Sequence, residues 1–428
     1  MSDLLRSIYL RIGVHTAPPG TLCHFLNASA RAAFNRLRSL ARGERYELTD
    51  LPRRNRDFVL AFRVSGGIGD HLIAARYIRD LLAVIGVCAF DIYSSRPAAA
   101  RWIFASLPGY RRVFNEHHLF GTRALSHYQA SFWLMSFVEL LTVNGERMRP
   151  VAGVDIRRLL LIRAAIAKFN TKIRLFIDMH PRLDGYLAEI ALLHGWTRMT
   201  FLHGVSGIRY GGDRLAIATD RTALHRFGLA GRPYITLHNG YDPEEGQRVG
   251  RGVATTKNYP HFAELITLLR RQFPALTIVQ LGTVTSTPIR GVHCNLIGQT
   301  SIEQTAEIIR CSLLHVDGES GMVHLAACLG VTSCVIFGPT SRDYFAYGSN
   351  INIAPATCGN CWWMTPEWLK QCPRGLGKPR CVSDTSPQSI VTAIHRHLQL
   401  AIGDHAAMPD TAGSGHDSLE APATQSVK

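Results

Sequence analysis

The chain has 428 residues, of which 46% are hydrophobic and 18% charged. These proportions exclude disordered, collagen-like and coiled-coil proteins, and the length predicts roughly two or three domains. Lys and Arg total 47 against 32 Asp and Glu, a formal net charge of +15, which indicates anionic partners. The sequence has no apolar run of about 18 residues that could span a membrane, and no secretion signal pattern at its N-terminus. We therefore expect a cytoplasmic protein.

The two ends of the chain differ in composition from its middle. Residues 1–56 are rich in arginine and predict a basic extension, with an amphipathic helix around 27–41. That helix could lie on an anionic membrane or pack as a solvated helix on the next domain. Residues 403–428 are small and polar without apolar periodicity, which predicts a disordered tail.

Between these ends, short apolar strands alternate with helices. In the N-terminal half, a strand at 58–64, a helix at 71–85 and a strand at 88–93 are predicted. After a candidate linker at 221–233, predicted strands alternate with predicted helices: strands at 234–237, 276–281, 313–316 and 333–337, helices at 260–272, 301–310 and 320–329. This alternation is typical of parallel sheets built from βαβ units. It predicts two doubly wound α/β domains, 57–230 and 231–402, that face one cleft.

A glycine-rich turn, RVSGGIGD at 63–70, follows the first strand. Ligands of open α/β sheets bind at the carboxyl ends of strands, where such a turn lets them approach the backbone. The spacing is neither G-x-G-x-x-G nor that of a P-loop, so a dinucleotide or P-loop site is excluded. Asp70, the last residue of the turn, could act on a ligand or could only cap the following helix.

Two later segments could meet a phosphate group. Lys257, in TTKNYP at 255–260, lies in a loop before a helix, where it supplies a point cation or only faces solvent. The segment DGESGMVH at 317–324 opens a helix with small residues, whose N–H groups and dipole suit a diphosphate. Within it, Ser320 could be only an N-cap and His324 only a packed side chain.

Together these segments resemble bacterial glycosyltransferase family 9, the ADP-heptose heptosyltransferases. The resemblance covers about 57–398 and has four motifs in order: Arg-x-Ser-x-x-x-Gly-Asp at 63–70, KNYP at 257–260, ESGMVHLAA at 319–327 and FGPT at 337–340. In the family, the second motif has Trp where this chain has Tyr259, and the third starts with Asp where this chain has Glu319.

The resemblance implies a GT-B fold, two Rossmann-like domains with an N-terminal acceptor domain and a C-terminal nucleotide-sugar domain. It implies that Asp70 is the general base on the acceptor hydroxyl, while the remaining site residues bind the donor: Gly69, Lys257, Asp317, Glu319, Ser320, Gly321 and His324. Whether Asp317 or Glu319 contacts the nucleotide stays open. Such an inverting transfer needs one carboxylate base, and a cation with a helix N-terminus can stabilise the leaving diphosphate. No catalytic metal is therefore expected.

Four of the ten cysteines crowd into 24 residues, Cys358, Cys361, Cys372 and Cys381. Four thiolates beginning with a Cys-x2-Cys pair suit tetrahedral coordination of zinc or iron. Two disulfides are the alternative, which a reducing cytosol disfavours. We predict a structural metal finger; related autotransporter heptosyltransferases carry one for iron, but the spacing does not separate iron from zinc.

The sequence thus predicts an inverting glycosyltransferase that uses ADP-heptose. The acceptor would be lipopolysaccharide core or another glycan, with peripheral association at the anionic inner membrane. Three alternatives remain: a protein O-heptosyltransferase acting on Ser or Thr, a sugar-nucleotide epimerase, and a nucleic-acid-binding protein with a zinc knuckle. Basic residues spread along the chain, without a stripe of interleaved aromatic residues, disfavour nucleic acid as a partner.

Overall fold

The computed structural model describes residues 51–52, 58–119, 124–239 and 255–407. Most of the basic extension and its predicted helix at 27–41 lie outside these residues. Two sheets form within the described part of the chain, one from residues 59–143 and one from residues 234–353. The domain boundaries at 57, 231 and 402 remain predictions.

The N-terminal sheet has the strand order β3-β2-β1-β4-β5. Its strands are β1 Val59–Val64, β2 Ala89–Ser94, β3 Tyr110–Asn115, β4 Ala130–Leu134 and β5 Val138–Val143. The first four strands run parallel, and β5 pairs antiparallel with β4. Three residues join β4 to β5, which permits only a hairpin. An antiparallel edge therefore completes a sheet that the sequence predicted as parallel.

Seven α-helices occur in the described residues before residue 234. They are α1 Ile68–Ile85, α2 Pro97–Phe104, α3 Ile156–Lys172, α4 Arg174–Asp178, α5 Asp184–Leu193, α6 Phe201–Ser206 and α7 Ala223–Arg226. Helix α1 begins three residues before the predicted start at 71, because Gly67 is its N-cap and the Asp70 side chain accepts the Gly67 N–H. The short helix α7 lies inside the segment expected to be a linker.

The C-terminal sheet has the order β11-β10-β9-β6-β7-β8, and every pairing in it is parallel. Its strands are β6 Tyr234–Leu237, β7 Thr277–Gln280, β8 Cys294–Asn295, β9 His315–Gly318, β10 Ser333–Ile336 and β11 Ile351–Ile353. Strand β9 begins two residues later than predicted. The parallel doubly wound architecture is confirmed here.

The helices of this unit are α8 Phe262–Gln272, α9 Ile302–Arg310, α10 Gly321–Leu329, α11 Arg342–Phe345, α12 Arg380–Ser383 and α13 Pro387–Ala407. Ser301 caps α9, as predicted, by accepting the Gln304 N–H, and Gly330 ends α10 with a φ of 77°. Helix α13 continues to Ala407. The tail predicted from 403 is therefore wrong for residues 403–407, and the remainder lies outside the described residues.

The two units meet where α1 packs against α10, and one buried apolar cluster runs through this contact from Leu72 and Ile78 to Val323 and Leu325. Each of these two helices begins at the carboxyl end of a strand, β1 or β9. Their packing therefore brings two strand-end sites, one from each sheet, into one region. Among the described helices, none is long and apolar enough to cross a membrane.

Candidate active site

The N-termini of α1 and α10 touch through two glycines. A Cβ added to Gly69 would lie 2.5 Å from His324 Cδ2, and one added to Gly321 would lie 3.1 Å from the Gly69 nitrogen. Only residues without a side chain allow this approach. The structure therefore brings together Gly69, Gly321 and His324, which belong to motifs far apart in the sequence.

Asp70 lies in the first turn of α1 and uses both carboxylate oxygens. Oδ2 accepts the Gly67 N–H at 2.9 Å, and Oδ1 accepts from Arg198 Nη2 at 2.7 Å. Burial alone would raise the pKa of Asp70, but the charge and hydrogen bond of Arg198 and the Gly67 N–H hold the pKa below its usual value. Asp70 does cap its helix, and it is also an ionised carboxylate whose side chain remains 27% exposed.

Arg198 is a site residue that the sequence analysis missed. Its side chain is buried; Nη2 also donates to the Met135 carbonyl at 3.2 Å, and its backbone N–H donates to the Tyr344 carbonyl at 2.8 Å. Within the described residues, Nη1 has no hydrogen-bond partner. Arg198 belongs to none of the four sequence motifs, so no sequence signal marks it.

His324 is held by a chain of hydrogen bonds. Arg76 Nη1 donates to the Tyr347 hydroxyl, whose oxygen lies 2.6 Å from His324 Nδ1. Because Arg76 can only donate, the Tyr347 hydrogen points to Nδ1, which leaves the imidazole proton on Nε2. Burial, followed by the charges of Arg76 and Arg198, lowers the pKa of His324 to about 3. His324 is therefore a neutral donor at Nε2.

Lys257 pairs with the acidic residue that opens the third motif. Its Nζ lies 2.8 Å from Glu319 Oε2, and Glu319 Oε1 lies 3.8 Å from His324 Nε2. This ion pair joins the loop before α8 to the start of α10. A lysine ammonium has three donors, and the contact with Glu319 uses one of them.

Asp317 and Ser320 form hydrogen bonds that fix the start of α10. Ser320 Oγ accepts the Met322 N–H at 3.0 Å as an N-cap and donates to Asp317 Oδ2. Asp317 is buried and lies 2.7 Å from His238 Nδ1. Burial opposes ionisation of Asp317, but His238 and His315 lower its pKa to about 2. Glu319, and not Asp317, is the carboxylate that faces Lys257.

The segment around His203 is a helix that packs in the core. Residues 201–206 form helix α6, and His203 is buried with its Nε2 3.0 Å from Asp80 Oδ2. An apolar helix with one histidine paired to a buried carboxylate explains this segment as packing.

The four predicted metal ligands lie near one another but do not form a metal-binding group. Burial raises the pKa of Cys361 to about 11, with further contributions from Cys372 and Cys358, and that of Cys381 to about 12. Yet among the described residues no three or more His, Cys, Asp or Glu side chains are arranged to hold a metal ion. The donor types fit zinc or iron, whereas their arrangement in this structure does not. The segment packs on the fourth motif, since the Cys361 N–H donates to the Pro339 carbonyl at 2.8 Å.

The fold is shared with solved glycosyltransferases. The structure of E. coli ADP-heptose LPS heptosyltransferase II superposes with a TM-score of 0.51 at 16% identity, over 80% of this chain and 99% of that chain. The iron-containing dodecameric glycosyltransferase TibC from enterotoxigenic E. coli H10407 gives a TM-score of 0.50 at 13% identity, over 82% of this chain and 78% of that one. These similarities confirm the predicted GT-B fold.

One segment of the sequence matches a family model. Residues 254–374 match the model of glycosyltransferase family 9 (heptosyltransferase). No curated protein sequence matches the chain. The matched segment contains Lys257 and the start of α10. Family match and fold together support a glycosyltransferase.

Proposed function

We propose that the chain is an inverting glycosyltransferase that moves heptose from ADP-heptose to a hydroxyl group of a lipopolysaccharide core or another glycan. The observation that carries this proposal is the meeting of α1 and α10. It sets an ionised carboxylate, Asp70, beside a helix N-terminus that is flanked by Lys257 and the neutral donor His324. A carboxylate base close to an anion-binding group is what a displacement at a sugar carbon needs.

In the proposed reaction, Asp70 takes the proton of the acceptor hydroxyl as that oxygen attacks the anomeric carbon. The bond from this carbon to the diphosphate oxygen breaks, and its electron pair leaves with the nucleoside diphosphate. Arg198 and the Gly67 N–H fix the Asp70 carboxylate, which keeps free lone pairs for the acceptor proton.

The growing charge on the diphosphate would be met by three groups. These are the Lys257 ammonium, the N–H groups in the first turn of α10 that Ser320 does not cap, and the His324 Nε2–H. We assign Gly321 to this role because it is the first residue of α10, where a backbone N–H has no partner within the helix. Glu319 orients Lys257 through their 2.8 Å contact.

Nucleotide titration tests this proposal. Calorimetry of the full chain with ADP, UDP, GDP and CDP should show selective binding of ADP. Lys257→Ala should weaken that binding by about tenfold or more, since a charge-assisted hydrogen bond contributes about 1.5–3 kcal/mol. Lys168→Ala removes an exposed lysine of α3 and is the matched control.

Other outcomes reject parts of the proposal. Stronger binding of UDP or GDP would remove heptose as the donor sugar and leave the fold. Binding of none of the four would reject a nucleotide sugar. Turnover of ADP-heptose without any acceptor would indicate an epimerase in place of a transferase.

We also propose that Cys358, Cys361, Cys372 and Cys381 hold a structural zinc or iron ion. The proximity of the four thiols and their chemistry support this site, and the similar TibC structure is described as iron-containing. When bound, such an ion would stabilise the segment from 358 to 381.

Metal analysis of freshly purified protein tests this site. We expect zinc or iron in the wild type, and Cys372→Ser should release it and lower the melting temperature. Cys294→Ser, a cysteine outside the cluster, should retain the metal. Metal-free wild type would reject the site.

A further inference from the structure

Helix α3 presents an unusual outer face. Its inner side packs Leu159, Ile162, Ile166 and Phe169 into the N-terminal core. Its outer side exposes Leu160 at 40% and Leu161 at 62%. All five basic residues of the helix are also exposed, and no acidic residue occurs between its ends; the five are Arg157, Arg158, Arg163, Lys168 and Lys172.

This composition differs from that of an ordinary solvated helix. A solvated face usually mixes both signs of charge and carries few large apolar side chains. Leucines among arginines and lysines, with no carboxylate, match a helix that lies in the interface of an anionic bilayer. Leu175, in the helix that follows α3 directly, is also exposed, at 61%.

A groove adjoins the same helix. It has a volume of about 600 Å³ and lies between edge strand β5 and α3, with lining residues that include Leu140, Ile166, Arg163 and Arg174. Arg174 is held there by Glu139 at 2.6 Å and by Asp178. Because these carboxylates neutralise Arg174, the groove adds apolar residues and the cation Arg163 beside the outer face of α3.

We propose that the outer face of α3, with Leu160 and Leu161 at its centre, docks on an anionic phospholipid surface. Charge complementarity favours this occupant. A second copy would bring the same uncompensated positive charges against each other, and nucleic acid would leave two exposed leucines without a partner. The proposal rests on the helix face and is independent of the proposed transfer reaction.

Vesicle flotation with the full chain tests the proposal. The wild type should float with phosphatidylcholine vesicles that contain phosphatidylglycerol, and not with phosphatidylcholine alone. The double variant Leu160→Glu, Leu161→Glu should lose at least about tenfold in binding. The control is the double variant Leu193→Glu, Leu400→Glu, which introduces the same two charges at leucines that are 87% and 61% exposed elsewhere on the protein. It should bind vesicles as the wild type does.

A second pair of variants tests the charges and keeps the apolar surface. Lys168→Gln with Lys172→Gln should weaken binding by about fivefold for each side chain removed. Arg271→Gln with Arg396→Gln, both exposed on the C-terminal unit, is the control. Circular dichroism should show all variants folded, because every substituted side chain is exposed.

Several results would overturn the proposal. One is a wild-type protein that does not bind anionic vesicles. Another is a set of α3 variants that bind vesicles as strongly as their controls, which would assign the binding to the basic extension. A change in oligomeric state of the leucine variant without a change in vesicle binding would make α3 a contact between copies. If the protein bound RNA in a salt-sensitive way that the α3 substitutions weakened, and did not bind vesicles, the outer face of α3 would be a nucleic-acid site.

Discussion

The two sheet units contribute to the site in different ways. The C-terminal unit is an all-parallel sheet in which Glu319, Ser320 and Gly321 follow one strand directly and open the next helix. The N-terminal unit contributes Asp70 in the same manner, but it also supplies Arg198 from a segment before α6. Residues fixed by a strand-to-helix turn can be found from sequence, whereas a residue that reaches the site through tertiary packing cannot.

The largest expected effect comes from Asp70, which the sequence predicts as the base and which the N-terminal unit contributes to the site. Asp70→Ala should lower kcat by at least about 100-fold, since a positioned general base contributes about 10² to 10⁴ in rate. Its ADP affinity should remain close to wild type, because Asp70 acts on the acceptor. The measurement is ADP release from ADP-heptose with a lipopolysaccharide-core acceptor, together with ADP calorimetry.

Asp404→Asn, an exposed carboxylate on α13, is the control for loss of one negative charge. If Asp70→Ala retained full turnover, Asp70 would be only the cap of α1. Loss of ADP binding in the same variant would instead place Asp70 on the donor side.

The next effect tests whether Arg198 sets the pKa of Asp70 or has only a packing role. An opposite charge in contact lowers a carboxyl pKa by about 1–3 units. Arg198→Met should therefore raise the pKa of Asp70, and the acid limb of kcat/KM should move to higher pH by a similar amount. Because burial continues to favour the protonated form, the shift has only this direction.

The other groups near Asp70 do not mimic this shift. His324 is neutral because its pKa is about 3, and burial keeps the Tyr344 hydroxyl protonated by raising its pKa. Arg221→Met, at an exposed arginine, is the control. An unmoved acid limb in Arg198→Met, with only the melting temperature lowered, would reduce Arg198 to a packing role.

Particular elements show how far sequence could predict this molecule. Helix α9 was placed within one residue because its capping box is local, with Ser301 and Gln304 three positions apart. The β4–β5 hairpin was missed because no glycine, proline or asparagine marks its turn; Met135, Ser136 and Phe137 join the strands. The seven donor-site residues are predicted from motifs, but their contacts are not. That Glu319 faces Lys257 while Asp317 faces His238 depends on how β9 aligns with β6.

The smallest expected effect on activity is that of Asp317, and it tests whether Asp317 and Glu319 have different roles. Folding lowers the pKa of Asp317 from 3.8 to about 2, so the ionised form stabilises the native state by about 2 kcal/mol above pH 4. That stability should be lost as pH falls from about 4 to about 2. Asp317→Asn should lower the free energy of unfolding by a similar amount and flatten this pH dependence, as measured by urea unfolding. Its ADP affinity should stay unchanged.

Glu319→Gln should give the opposite pattern and serves as the matched variant two residues away. It removes the 2.8 Å ion pair that orients Lys257, so ADP affinity should fall about threefold to tenfold, while a pair on a partly exposed lysine adds little to stability. Each variant removes one negative charge from the junction between β9 and α10. If Asp317→Asn weakened ADP binding more than Glu319→Gln, the nucleotide would contact the carboxylate beside His238, and the start of α10 would have to open to admit it.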